Sequence, residues 1–144
     1  MLRGAALSLI LAVSTVSSAP FARSLRTQLT QRTGVPVTLV SCPARVPLRR
    51  GAVFTCRVRF TSHDRTPVRV RLTDAHGRYS AHLRDVLVRH LERQLDHARR
   101  ADAPFRCPAR RAVRRGDRFT CPGRGAVAAI TQLGDGRVTY AFAR

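Results

Sequence analysis

The sequence predicts an α+β protein of two small tandem units, each one helix followed by about four antiparallel strands and closed by its own disulfide. Three observations predict it. A cysteine frame is duplicated, two stretches carry helical periodicity, and each is followed by residues that alternate with a period of two. The duplication is the strongest. Cys42-Pro43-Ala44-Arg45, Arg49-Arg50-Gly51 and Phe54-Thr55-Cys56 recur 65 residues later as Cys107-Pro108-Ala109-Arg110, Arg114-Arg115-Gly116 and Phe119-Thr120-Cys121. Ten of the fifteen positions in this window are identical, which marks an internal repeat.

Four cysteines allow three pairings. Duplication favours Cys42–Cys56 with Cys107–Cys121, because each copy must once have closed by itself. Each bond closes a loop of about 15 residues and is worth roughly 3 kcal/mol in the chain-entropy model. That matters for units of about 60 residues, whose cores are marginal. Zinc sites use close cysteine pairs of the C-x2-C kind. This sequence has none, so no metal or cofactor is expected.

The elements follow in order. Ala22, Leu25 and Leu29 share one face of a helix over Phe21 to Thr33, with Gly34 to end it and Pro36 to block its continuation. Val37 to Cys42 reads as a short strand. Phe54, Cys56, Val58 and Phe60 alternate with Thr55, Arg57 and Arg59, which predicts a half-buried strand. Val68, Val70 and Leu72 alternate with Arg69 and Arg71, Asp74-Ala75-His76-Gly77 is a turn, and Arg78 to Ala81 begins a last strand. Ala81 to Arg100 carries a long apolar stripe through Leu83, Val86, Leu87, Leu91 and Leu95, which predicts an amphipathic helix with Ser80 as its N-cap. Phe105 to Cys107, Arg118 to Cys121, Ala126 to Leu133 and Val138 to Phe142 are the strands of the second unit, and Gly134-Asp135-Gly136 is its hairpin turn. The second unit is shorter, with the loss expected at the hairpin around Ser62-His63-Asp64.

The N-terminus reads as an export signal. Arg3 gives a positive start, Ala5 to Val13 is apolar with one serine, and Ser14 to Ala19 is small and polar. Cleavage is expected after Ser18, because a cut after Ala19 would put Pro20 beside the scissile bond. No cysteine for lipid attachment lies near this junction, and a second apolar run of spanning length is lacking, so the mature chain is expected to be secreted or peripherally held. The organisation expected is a signal peptide over 1–18, a first repeat over 19–79 and a second over 80–144.

The helix, the Ser-Cys-Pro start, the arginine-rich loop with its glycine, the Phe-Thr-Cys strand and the aspartate-glycine turn resemble the family of exported proteins called domain of unknown function 4333, best over Thr38 to Gly77. The second copy is similar from Phe105 to Val138. The resemblance implies a small extracytoplasmic disulfide domain of high-GC Gram-positive bacteria, with no known activity and no catalytic residues to carry over.

The charge balance supplies the functional signal. Against 8 acidic residues stand 27 basic ones, every one an arginine, for a formal charge of +19. Arg45, Arg49 and Arg50 match Arg110, Arg114 and Arg115 in the repeated loops, and Arg57, Arg59, Arg69 and Arg71 line one strand face. Guanidinium forks suit phosphate and carboxylate groups, so an anionic partner is expected: an envelope polymer, lipid head groups or an acidic protein. Specific nucleic-acid recognition is not expected, since tryptophan is absent and few aromatics interleave with the arginines. His90 and His97 lie two turns apart on one helix and read as stripe edge and helix end rather than as ligands. No H-E-x-x-H, G-x-S-x-G or phosphate-cradling glycine loop occurs, and Glu92 is the only glutamate, so the expectation is a non-enzymatic binding or structural protein. The alternative from another class is an inhibitor of an extracellular hydrolase that inserts the braced loop Pro43 to Gly51.

Overall fold

The computed structural model describes residues 14–99, 104–109 and 114–143. Of the expected signal peptide over 1–18, residues 1–13 lie outside them. Both predicted disulfides are present, Cys42–Cys56 and Cys107–Cys121, and no described cysteine is free.

The first unit begins with strand β1 (Thr15–Ser17) and helix α1 (Ala19–Thr33). Phe21, Leu25 and Leu29 fall on the buried face of α1, while Ala22 is only half-buried. Gly34 ends the helix at φ 68°, its N–H donating to the Thr30 carbonyl. Strands β2 (Val37–Ser41), β4 (Val53–Phe60), β5 (Arg65–Leu72) and β6 (Tyr79–His82) form an antiparallel sheet in the order β2-β4-β5-β6. Strand β3 (Arg45–Pro47) lies inside the Cys-Pro loop and pairs with β1 in a separate two-stranded ribbon. β4 and β5 alternate without a break between exposed and buried residues. Their inward side chains meet α1, where the Phe21 and Phe54 rings lie edge to face at 5.6 Å.

The second unit has helix α2 (Val88–Ala98) and strands β7 (Arg118–Gly123), β8 (Ala126–Gly134) and β9 (Arg137–Ala143) in a three-stranded antiparallel sheet. The repeat holds at the level of single hydrogen bonds. The Gly51 N–H donates to the Leu72 carbonyl and the Gly116 N–H to that of Gln132, each at 2.8 Å. The first hairpin turns through Thr61 to Asp64, the second through Arg124 and Gly125 alone, so the loss falls where it was expected.

Three expectations need correction. The helix over Ala81 to Arg100 starts seven residues late, at Val88, and Ser80 is not its cap, because Ser80, Ala81 and His82 pair with β5. The apolar stripe that suggested a helix is divided instead. Leu83 and Leu87 pack into the first core and Val86 into the second. A boundary at 79/80 therefore cuts through β6, and the crossing between the units runs from Leu83 to Leu87. Phe105 to Cys107 is not a strand, so the second sheet has three strands rather than about four. Pro104 and Pro108 flank this segment and have no N–H to give a ladder. Two of its three amides turn to α2, Phe105 donating to Asp96 at 2.6 Å and Cys107 to Glu92 at 2.9 Å, while that of Arg106 goes to the Pro122 carbonyl.

The cap of α2 comes from the other unit. Asp64, at the tip of the β4–β5 hairpin, accepts the Arg89 N–H at 2.9 Å and the His90 N–H at 3.0 Å. The Ser62 hydroxyl donates to the same carboxylate at 2.6 Å. Two of the helix's otherwise unpaired amides are thus satisfied, and a negative charge sits at the positive end of its dipole. Gln132 donates to the Arg84 carbonyl at 2.6 Å, and Thr66 to Asp85 at 2.8 Å, on the same side. Gly136, at φ 72°, fits under Leu83 because a Cβ there would lie 2.7 Å from the Leu83 Cδ2.

Candidate anion-binding face

The inner face of the four-stranded sheet is filled by α1, which leaves the outer face to solvent. Period-two alternation puts Thr55, Arg57 and Arg59 of β4 outward, with Arg65, Pro67, Arg69 and Arg71 of β5 beside them. Register fixes the neighbours. Arg59 stands directly opposite Arg65, Arg57 opposite Pro67, Thr55 opposite Arg69, and Val53 opposite Arg71. Ser41 and Leu39 of β2 pair with Arg57 and Arg59, and His82 and Ser80 of β6 with Arg69 and Arg71. None of these positions holds a carboxylate.

Two shallow depressions mark this face. One of about 550 Å³ is lined by Leu39, Ser41, Arg57, Arg59, Arg65 and Pro67. The other, of about 260 Å³, is lined by Arg69, Arg71, Ser80, His82 and Arg84. The ion pairs identified among the described residues are Arg78–Asp74, His82–Asp135 and Arg106–Glu92. The five face arginines take no part in these. Five of the described acids, Asp64, Asp74, Glu92, Asp96 and Asp117, accept backbone amides. Asp74 accepts those of His76 and Arg78, which holds its carboxyl below the usual range, and Asp117 accepts that of Arg114.

The loop arginines are not equivalent to one another. The Arg45 guanidinium donates through Nε to the Thr15 hydroxyl at 3.0 Å and through an Nη to the Thr15 carbonyl at 2.8 Å. Arg49 and Arg50 are exposed in the turn that leads to Gly51, which is tied to Leu72, at the Arg71 end of the sheet. Arg114 and Arg115 are exposed in the matching turn, and Arg110 lies outside the described residues. The structure thus adds Arg65, at the start of β5, to the face arginines. Its alternation with Pro67, Arg69 and Arg71 was the signal for it.

His90 is half-buried against the crossing between the units, and His97 is exposed in the last turn of α2. No group of three metal-binding side chains occurs among the described residues, and none of their helices is long and apolar enough to cross a membrane.

Fold and face together define a small disulfide-closed α+β domain with a cationic sheet surface. A family model described as domain of unknown function (DUF4333) matches residues 3–77, and the chain belongs to that family. The match takes in the first unit; the second copy lies beyond it. No curated protein and no solved structure matches the chain.

Proposed function

We propose that the protein is an exported, non-enzymatic module that holds an anionic envelope polymer or lipid surface against the outer face of its first sheet. The observation that carries this reading is the pairing of Arg59 directly opposite Arg65, within a face of five arginines whose own strand positions hold no carboxylate. Like charges directly opposite on a sheet are destabilising. An anionic partner removes that penalty. Along each strand, alternate arginines are spaced by about 6.7 Å, so a linear polyanion laid across the sheet meets guanidinium groups at short intervals. Near an anionic surface each is worth about 1 kcal/mol.

Export is supported by the two disulfides, which persist in oxidising compartments. Sequence-specific nucleic-acid recognition is not favoured, since none of the outward positions of the face is aromatic. The inhibitor reading gains nothing from the loop Pro43 to Gly51. Its middle is folded against the core, with Val46 1% exposed and Pro47 and Leu48 half-buried. The test is a binding isotherm on vesicles with and without anionic lipid, and on a soluble polyphosphate, over a range of salt. Binding to both anionic probes that weakens steeply as salt rises is expected. Binding that ignores salt overturns the reading.

A further inference from the structure

The expected cleavage after Ser18 conflicts with what the fold does with residues 14 to 18. Among the described residues β3 pairs with β1 alone, with Thr15 opposite Pro47, Val16 opposite Val46 and Ser17 opposite Arg45. The ribbon is extended at both ends, since the Leu48 N–H donates to the Ser14 carbonyl at 2.9 Å and the Ser18 N–H to that of Ala44 at 3.1 Å. Val16 packs against the first core, beside the buried Val46. Both hydrogen bonds of the Arg45 guanidinium go to Thr15.

The Ser18–Ala19 bond is itself built into the fold. Ser18 is 7% exposed and adopts φ −79°, ψ −8°, a helical conformation. Its carbonyl accepts the first bond of α1 from the Ala22 N–H at 3.0 Å, and the Ala19 N–H donates to the Ser17 hydroxyl at 3.3 Å. A cut here before folding would remove β1. It would strip β3 of its ladder, uncover Val46 and release Arg45.

We propose that the leader is cut between Ser14 and Thr15, and that Thr15–Ser18 stays on the mature protein as a structural strand. This rests on the reading of the chain as exported. Ala12-Val13-Ser14 places small residues at the first and third positions before the new bond, as leader cleavage requires. Ala5 to Leu11 still gives seven residues of largely apolar run after the positive Arg3, the lower end of the range for that run, and the leader Met1 to Ser14 falls just short of the roughly 15 residues at which such leaders begin. Thr15 then becomes the mature N-terminus, and its ammonium sits at the outer end of the ribbon.

Two measurements test this. The full chain is produced in a secreting bacterial host, and the N-terminus of the exported protein is read by intact mass and sequencing. Thr15 is the expected result. Ala19, or a retained Met1 on exported protein, overturns the proposal. A chain confined to the cytoplasm refutes the export reading instead, and the second measurement then decides the role of the strand. Oxidised 15–144, 19–144 and Val16→Pro in 15–144 are compared by thermal unfolding. Residues 14 and 18 bond to their partners in β3's flanks, so by the antiparallel alternation Val16 does too. Proline there removes one ladder donor without shortening the chain. Midpoints lower by at least about 5 °C are expected for both altered chains. A Val16→Pro midpoint equal to that of 15–144 shows that the strand is dispensable and overturns the proposal, even where 19–144 does not fold.

Discussion

The two sheets share one cysteine frame, yet their outer faces differ in chemistry. On the first, β4 and β5 present Arg57, Arg59, Arg65, Arg69 and Arg71. On the second, the paired outward positions are Arg118, Thr120 and Pro122 of β7, Val127, Ala129 and Thr131 of β8, and Arg137, Thr139, Ala141 and Ala143 of β9, with Arg118 and Arg137 the only charges among them. The inward positions do not differ in the same way. Phe54 and Phe119 are both buried, and Cys56 and Cys121 are both sealed. A charge excess shared by the whole chain would have spread over both faces. Its concentration on one is why the proposed anion-binding role falls to the first unit.

The largest effect expected is on binding. Glutamine at all five first-face arginines should abolish most attachment to anionic vesicles, at about 1 kcal/mol for each position, while Arg118→Gln should change it less than threefold. Equal losses from the two variants in vesicle co-sedimentation would erase the distinction between the faces. Next comes the core. Phe54→Ala should cost about 3–5 kcal/mol in chemical denaturation, and Phe119→Ala less, because Phe54 also loses its edge-to-face partner Phe21. The reverse order would place the stronger core in the second unit.

Replacing a disulfide by two serines should cost roughly 3 kcal/mol in either unit. The second should suffer the greater local loosening. The segment around Cys107 has one backbone bond to β7, from Arg106 to the Pro122 carbonyl, whereas Cys42 follows directly on the paired β2. Hydrogen exchange of Phe105 to Cys107 against Val37 to Ser41 measures this. Asp64→Ala should cost about 1 kcal/mol and should lower the protection of α2 amides although the residue belongs to the first unit. Unchanged exchange at Arg89 and His90 would break that coupling. The smallest effect is titration of His90. Burial, then the charge of Arg93, holds its imidazole below the usual 6.5, against an opposing pull from Asp64. The unfolded chain therefore takes the proton first. Stability is intact above pH 6.5 and falls as pH drops from there through the folded value. His90→Gln should flatten that slope in urea melts between pH 7 and 5.

Much of this was readable from residue order alone, for a physical reason. Disulfide frames, strict alternation and glycine stops are local signals, and so the pairing of the cysteines, β4, β5, the end of α1 at Gly34 and the turn at Asp135 were all legible. What was not legible depends on distant partners. Thr15 to Ser17 looks like the polar end of a leader until Arg45 to Pro47 is placed beside it. Leu83, Val86 and Leu87 keep helical spacing, but two separate cores compete for them and win. The second unit's missing strand turns on Asp96 and Glu92, whose carboxylates outbid a ladder for two of the three amides between two prolines. Of the loop arginines, Arg45 was read as free for a ligand, and only the ribbon reveals where its donors go.

The carboxylate that caps α2 gives the pair of copies a direction. The longer hairpin of the first unit reaches forward to hold the helix of the second, through Asp64. The second hairpin turns on Arg124 and Gly125 and carries no acid at its tip. A further copy joined after it would find no equivalent hand to hold its helix. The same two units encoded in reverse order would keep every disulfide and every strand, but would leave the start of α2 uncapped. Order along the gene is therefore part of the structure, and the duplication is no longer symmetric under exchange.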